Sequence, residues 1–261
     1  MESIQFSKAV SAAKTAQAGR SAPTAAALLA FALFFISIFA FAGCTARAAL
    51  SLDAGKGAAL SFKTEAGKSL EQTVTAFTGT EENKTLFDDA KIKAGFKKAG
   101  FTLDSLSFSG KTGISLNAHS ADIRTADTGG ALSLRSDGDG ETLTVKLSPA
   151  TLNSLLKLMP EETAEYTEFL MAPAFTGEKM SEKEYADSIG SMYGSTMRKE
   201  SESSFFIFDV SAPGEITEAA VLPAGTGSAS KNGKKASFRI ALNTFLSNSG
   251  EIIIRTRWKT K

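Results

Sequence analysis

Cys44 has the clearest chemical potential in this 261-residue sequence, because it is the only cysteine. A single cysteine can form neither an intramolecular disulfide nor a thiolate zinc site. It follows an uncharged apolar run over residues 25–42, and the junction reads Phe41-Ala42-Gly43-Cys44. Small residues let the chain enter a peptidase site, and the cysteine thiolate is a nucleophile that accepts a lipid. The spacing predicts cleavage between Gly43 and Cys44, with a diacylglycerol and an N-acyl group such as palmitate on Cys44.

The segment before the apolar run has the charge pattern of an export signal. Three basic residues, Lys8, Lys14 and Arg20, outnumber the acids there. A positive segment followed by an apolar run and small residues is typical of a signal peptide, so residues 1–43 are predicted to be one. The junction resembles a bacterial lipobox, with Phe41 where leucine is commonest. This resemblance implies a lipoprotein of the bacterial cell envelope, held on a membrane outside the cytoplasm.

Two other fates of the N-terminus remain open from the sequence. The apolar run is nearly as long as the ~20 residues of a membrane-spanning helix, so it can also act as an uncleaved anchor. Alternatively, an ordinary signal peptidase can cut after Ala42 and release a protein without lipid.

Other residues that could support catalysis are sparse. His119 is the only histidine, which removes most metal sites and catalytic triads. Ser154 and Lys157 fit the S-x-x-K motif of penicillin-recognising serine enzymes, and residues 111–113 fit K-T-G, but in the reverse of that family's order. The sequence therefore predicts no catalytic residue, no metal and no cofactor apart from the lipid. The alternative is an envelope hydrolase that uses carboxylates or Ser/Lys chemistry.

The charge balance bears on possible partners. The chain has a net charge of +1, which gives no electrostatic reason to bind nucleic acid. If strands over 236–242 and 251–258 pair, Arg239, Arg255 and Arg257 share one face of a sheet. Such a face can contact anionic lipid headgroups, each basic residue contributing about 1 kcal/mol. A solvated sheet face without a ligand explains the same pattern more simply.

The elements that must position these residues are mainly strands. Period-two alternation predicts hairpins around turns at 53–57 and 137–140. Further strands are predicted at 101–108, 114–118, 205–210, 216–222, 236–242 and 251–258. Helices are predicted at 81–98, 149–159, 161–171 and 181–193. This order predicts an α+β fold with a largely antiparallel sheet and a central helical segment. The exported domain spans residues 44–261, as one continuous unit or as two intimate lobes at 44–147 and 148–261.

Two local features add detail to this fold. No long Ser/Gly tether separates Cys44 from the first predicted strand, so the first hairpin is expected close to the membrane surface. The run Phe205-Phe206-Ile207-Phe208 is apolar at every position, which predicts a central strand covered on both faces.

The exported part of the sequence resembles the LppM-like group of bacterial envelope lipoproteins. The likeness rests on the Cys44 start, the early hairpin with its glycine turn, residues 180–185, the strand leading into 212–216, residues 238–246 and the closing strand 252–258. It implies an α+β domain that interacts with envelope lipids or other envelope components and has no known catalytic residues. Many such proteins have a C-terminal membrane helix, whereas this sequence ends in Trp258-Lys259-Thr260-Lys261, so the lipid on Cys44 is expected to be its anchor. We expect a non-enzymatic module that binds lipid, glycolipid or protein.

Mass spectrometry of the membrane fraction tests the predicted anchor. The mature protein should begin at Cys44 and carry the mass of a diacylglycerol and an N-acyl group. A Cys44→Ser variant lacks the nucleophile and should remain unprocessed and unlipidated. An intact Met1 in the wild-type protein would contradict the prediction.

Overall fold

The described part of the chain is an α+β structure, which confirms the predicted fold class. A computed structural model describes residues 45–260, apart from 65–66, 79–84, 86, 127, 129, 150–172, 174–175, 179 and 249. The predicted signal peptide, Cys44, and most of the predicted central helical segment lie outside these residues.

The chain begins with the predicted hairpin. β1 (Thr45–Leu52) pairs antiparallel with β2 (Ala58–Thr64), and the side chains of β2 alternate strictly between buried and exposed. In the turn, the Gly57 N–H donates to Asp53 Oδ1 at 2.9 Å, and Lys56 adopts a left-handed conformation with φ of 75°.

β1 lies in the middle of a seven-stranded sheet. Besides β2, the other members are β3 (Thr102–Ser109), β4 (Gly113–Ser120), β7 (Phe205–Ser211), β9 (Ser228–Asn232) and β10 (Lys235–Ala241). The strand order is β3-β4-β2-β1-β7-β10-β9. β1 and β7 run parallel, whereas the other neighbours in this sheet run antiparallel.

A second sheet has four strands, all paired antiparallel. They are β5 (Leu132–Asp137), β6 (Gly140–Leu147), β8 (Ile216–Leu222) and β11 (Ile252–Lys259), in the order β5-β6-β11-β8. The predicted hairpin around residues 137–140 is confirmed as β5–β6, and Gly138 supplies the left-handed turn conformation with φ of 60°. Each sheet contains strands from both halves of the exported domain.

Five α-helices and one short 3-10 helix complete the described structure. They are α1 (Lys68–Thr78), α2 (Asp89–Lys98), the 3-10 helix Ile123–Thr125, α3 (Glu182–Tyr193), α4 (Ser195–Glu202) and α5 (Leu242–Ser247). The predicted capping box before α3 is confirmed, since the Ser181 hydroxyl and the Glu184 carboxylate satisfy each other's backbone N–H groups. The predicted start of α2 at residue 81 is wrong. Asp88 caps the helix by accepting from the Lys91 N–H at 2.9 Å.

The buried faces of both sheets contribute to one hydrophobic cluster. Phe208 and Phe238 lie opposite each other on β7 and β10, both fully buried, with stacked rings 6.2 Å apart. β7 is central, as predicted, but within the described part of the chain its second face is only partly covered. Phe206 and Phe208 are buried, whereas Phe205 and Ile207 on the opposite face remain partly exposed.

A pair of matched substitutions on β7 tests which face forms the core. Phe208→Ala should lower the free energy of unfolding by about 3–5 kcal/mol, because it leaves a cavity in the buried cluster. Phe205→Ala removes the same atoms from the partly exposed face and should cost clearly less. Chemical denaturation of both variants measures the difference, and equal losses would contradict this assignment of faces.

Candidate functional site

The structure does not bring the three predicted arginines together. β10, which carries Arg239, pairs with β7 and β9 in the seven-stranded sheet. β11, which carries Arg255 and Arg257, pairs with β6 and β8 in the four-stranded sheet. The expected pairing of these two strands is therefore wrong, and the shared basic face that depended on it does not form.

Two of these arginines are also neutralised by nearby acids. Arg255 Nη2 lies 2.6 Å from Glu218 Oε1, across the β11–β8 pair. Arg257 Nη2 lies within 3.7 Å of a carboxylate oxygen of both Asp137 and Asp139, at the β5–β6 turn. These side chains stabilise their own sheet locally, and their charges are compensated.

Arg239 has a different environment, on the exposed face of the seven-stranded sheet. Its guanidinium carbon lies 3.4 Å from the centre of the Phe205 ring on the neighbouring strand. This cation–π contact holds the side chain against the sheet while the charge stays accessible to solvent.

Strand register places Arg239 in one row with two cations that the sequence analysis missed. Arg47 on β1 lies opposite Lys63 on β2 and beside Ile207 on β7, and Ile207 in turn lies opposite Arg239. The complete row crosses all seven strands through Ser107, Ser115, Lys63, Arg47, Ile207, Arg239 and Ser228. We call Lys63, Arg47 and Arg239 the basic row.

The spacing of the basic row follows from sheet geometry. Neighbouring strands lie about 4.8 Å apart, so Lys63 is next to Arg47, and Arg239 lies two strands, about 10 Å, away. Within the described part of the chain, Lys63 and Arg239 have no ion-pair partner. Arg47 has only a loose one, with Nε 4.0 Å from Asp209 Oδ2 and its side chain 63% exposed. The row therefore keeps most of its positive charge available.

An open depression of about 570 Å³ lies on this face at Arg47 and Lys63. Its walls include Ser61, Ser115 and Asn117, and the apolar side chains of Ala49 and Ile207 also line it. The Asn117 amide nitrogen donates to Ser105 Oγ at 2.9 Å, which fixes its orientation beside the depression. Cations and hydrogen-bonding groups around a small apolar floor suit a negatively charged, polar ligand group.

Arg47, one member of the basic row, is also close in sequence to the predicted lipid attachment. β1 starts at Thr45, and Arg47 is three residues from Cys44. At about 3.3 Å per residue, an extended chain keeps the Cα atoms of these two residues within about 10 Å. The alternation of the first hairpin could have suggested that Arg47 and Lys63 share a face. The β1–β7 pairing that adds Arg239 leaves no comparable signal in the sequence.

His119, to which the sequence assigned no role, pairs with Asp104 on the same face. Its Nδ1 lies 2.7 Å from Asp104 Oδ1, because a register irregularity on β3 between Leu103 and Ser105 places Asp104 beside it. Both side chains are about half exposed. Asp122, which is near His119 in sequence, binds Arg124 instead, with Oδ2 2.6 Å from Nη2.

The other motifs considered from the sequence do not converge on this face. Residues 111–113 form the turn before β4 and its first residue, and Ser154 and Lys157 lie outside the described residues. Among the residues that the structure describes, no group of three or more histidine, cysteine or acidic side chains is arranged to hold a metal ion. None of the described helices is long and apolar enough to cross a bilayer.

The Asp122–Arg124 pair predicts a pH effect. Hydrogen bonds from the Arg124 side chain and backbone N–H lower the pKa of Asp122 from 3.8 to about 2. Because the folded-state pKa is depressed, this stabilisation should be fully present above about pH 4 and be lost as the pH falls toward 2. A carboxyl carbon NMR titration should show that Arg124→Gln raises the Asp122 pKa. Lys93→Gln, which removes the partner of Asp89 instead, should leave it unchanged.

Comparisons with known proteins add one distant likeness. No family model matches the sequence, and no curated protein sequence matches it. Among solved structures, the NMR structure of the folded domain of Mycobacterium tuberculosis LppM is similar with a TM-score of 0.37 and 9% identity, over 84% of this chain and 90% of that one. At this distance the likeness assigns neither a family nor a function to the chain.

Proposed function

We propose that this chain is a lipid-anchored protein of the bacterial envelope whose α+β domain is a non-enzymatic module that binds anionic headgroups at the membrane surface. The observation that carries the proposal is the basic row, three accessible cations on one sheet face that begins next to Cys44. The depression at Arg47 and Lys63 receives the headgroup, and the lipid on Cys44 holds the domain within reach of it.

Electrostatics favour this arrangement at short range only. A basic residue near an anionic membrane contributes about 1 kcal/mol, and the attraction fades over a Debye length of about 8 Å at physiological ionic strength. Three residues of extended chain span about 10 Å, so little more than one Debye length separates Arg47 from the proposed lipid attachment at Cys44. At that separation the attraction to anionic headgroups is weakened by screening but not abolished.

Anchoring makes weak contacts sufficient. A domain tethered by a short linker experiences its membrane at an effective concentration in the millimolar range. A headgroup site of modest affinity is then occupied for much of the time. The function of the row is to orient the domain with its basic face toward the headgroups.

The titratable groups support a binding module more than an enzyme. Active sites usually shift pKa values by burying charged groups in a cleft. In the described part of the chain, the shifted acids Asp122, Glu184 and Asp187 owe their lowered pKa values mainly to hydrogen bonds from Arg124, Ser181 and Lys183, respectively. These are surface ion pairs and a helix cap, which are structural features.

Vesicle co-sedimentation of the chain from residue 45 onward, without its lipid, tests the proposal. Binding to phosphatidylcholine vesicles should require added phosphatidylglycerol and should weaken as salt screens the charges. Arg47→Gln and Lys63→Gln should each reduce binding about fivefold, which corresponds to about 1 kcal/mol per charge.

Lys235→Gln is the matched control. Lys235 is exposed on the same face, four residues along β10 from Arg239 and about 13 Å farther from the anchor end of the sheet. The Lys235→Gln substitution removes the same charge as Arg47→Gln but should reduce vesicle binding much less. Circular dichroism of each variant checks folding. Binding that is independent of anionic lipid, or equal losses for Arg47→Gln and Lys235→Gln, would reject the proposal.

A further inference from the structure

Three polar side chains are buried together at the end of the four-stranded sheet. Glu141 on β6 is 2% exposed, and Thr256 and Trp258 on β11 are 0% and 1% exposed. Glu141 lies directly opposite Trp258 in the strand register, and Thr256 is two residues away on the same face. Opposed residues in antiparallel strands have Cβ atoms about 5 Å apart, so the three side chains share one small region of the interior.

Each of these side chains has a buried polar atom without a hydrogen-bond partner among the residues that the structure describes. The atoms are Glu141 Oε2, Thr256 Oγ1 and Trp258 Nε1. Their hydrogen-bonding capacities are complementary. An ionised carboxylate oxygen only accepts hydrogen bonds, an indole N–H only donates one, and a hydroxyl does both. Buried polar atoms in folded proteins almost always have a partner, either in the protein or in an internal water molecule.

The other oxygen of Glu141 is already occupied. Glu141 Oε1 accepts from the Lys56 ammonium and from Ser136 Oγ at 3.3 Å. The backbone carbonyl of Lys56 also accepts from the Ile123 N–H at 2.9 Å. Lys56 belongs to the β1–β2 turn, so Glu141 connects the first hairpin of one sheet to the interior of the other. Glu141 Oε2 remains available as a hydrogen-bond acceptor on the side of Thr256 and Trp258.

We infer that one internal water molecule binds between Glu141, Thr256 and Trp258. It donates to Glu141 Oε2, accepts from the Trp258 indole N–H and exchanges a hydrogen bond with the Thr256 hydroxyl. A water with three polar partners is typical of structurally conserved interior sites. This water completes the polar bridge from Lys56 through Glu141 into β11.

Trp258 makes the inference directly measurable, because it is the only tryptophan in the chain. Full-length protein in detergent micelles, labelled with ¹⁵N-tryptophan, gives one indole N–H signal. A rotating-frame Overhauser spectrum should show a dipolar cross-peak from this proton to the water frequency, with the sign opposite to that of chemical exchange. Absence of that dipolar cross-peak in the wild-type protein overturns the inference, because Trp258 then donates directly to Glu141 or to no partner.

Two threonine variants show whether the cross-peak comes from a bound water molecule or from the Thr256 hydroxyl proton in exchange with solvent. Thr256→Val removes the hydroxyl while Glu141 and Trp258 remain, so the dipolar cross-peak should persist. Loss of the cross-peak in a folded Thr256→Val variant means that the hydroxyl carried the signal, and it also overturns the inference. Thr144→Val makes the same substitution on the partly exposed face of β6 and should leave the spectrum unchanged. If Thr256→Val does not fold, the wild-type spectrum alone decides.

Discussion

The parallel pairing of β1 with β7 is the constraint on which the rest of this structure depends. β1 buries Ala46, Ala48 and Leu50 and exposes Arg47 between them, so its alternation decides which face of the seven-stranded sheet meets solvent. Its central position joins the first hairpin to strands from the C-terminal part of the chain. β1 starts at Thr45, one residue after the predicted lipid attachment, and the chain enters this sheet at the end that carries Arg47 and Lys63.

Basic side chains have different roles in the two sheets because their surroundings differ. Arg255 and Arg257 face acids on neighbouring strands and turns, and their charges are compensated within the protein. Arg239 rests on an aromatic ring, which fixes the guanidinium without neutralising it. Lys63 and Arg47 lie side by side, and among the described residues only the Asp209 carboxylate lies loosely near them. Like charges in such proximity favour an anionic ligand from outside the protein.

The two ends of β1 lie in different chemical environments. The end at which β1 starts carries the basic row on its exposed surface. The opposite end of β1 turns at Lys56, whose ammonium reaches the buried carboxylate of Glu141 in the second sheet. A buried ion pair is costly to desolvate, and it offsets that cost only when both partners are held in a good geometry. Lys56 and Glu141 thus fix how the first hairpin meets the second sheet.

The sequence by itself determined the α+β class, the two hairpins and the capping box at Ser181, because each depends on residues close together in the chain. The export signal is a prediction of the same local kind. Alternation, turn glycines and caps are local signals that act before the chain folds. Only the tertiary structure decided that β10 and β11 belong to different sheets, that Arg239 joins Arg47 and Lys63, and that Asp104 is the partner of His119. Those outcomes depend on strand order and register, which are set by the packing of distant segments into one hydrophobic cluster.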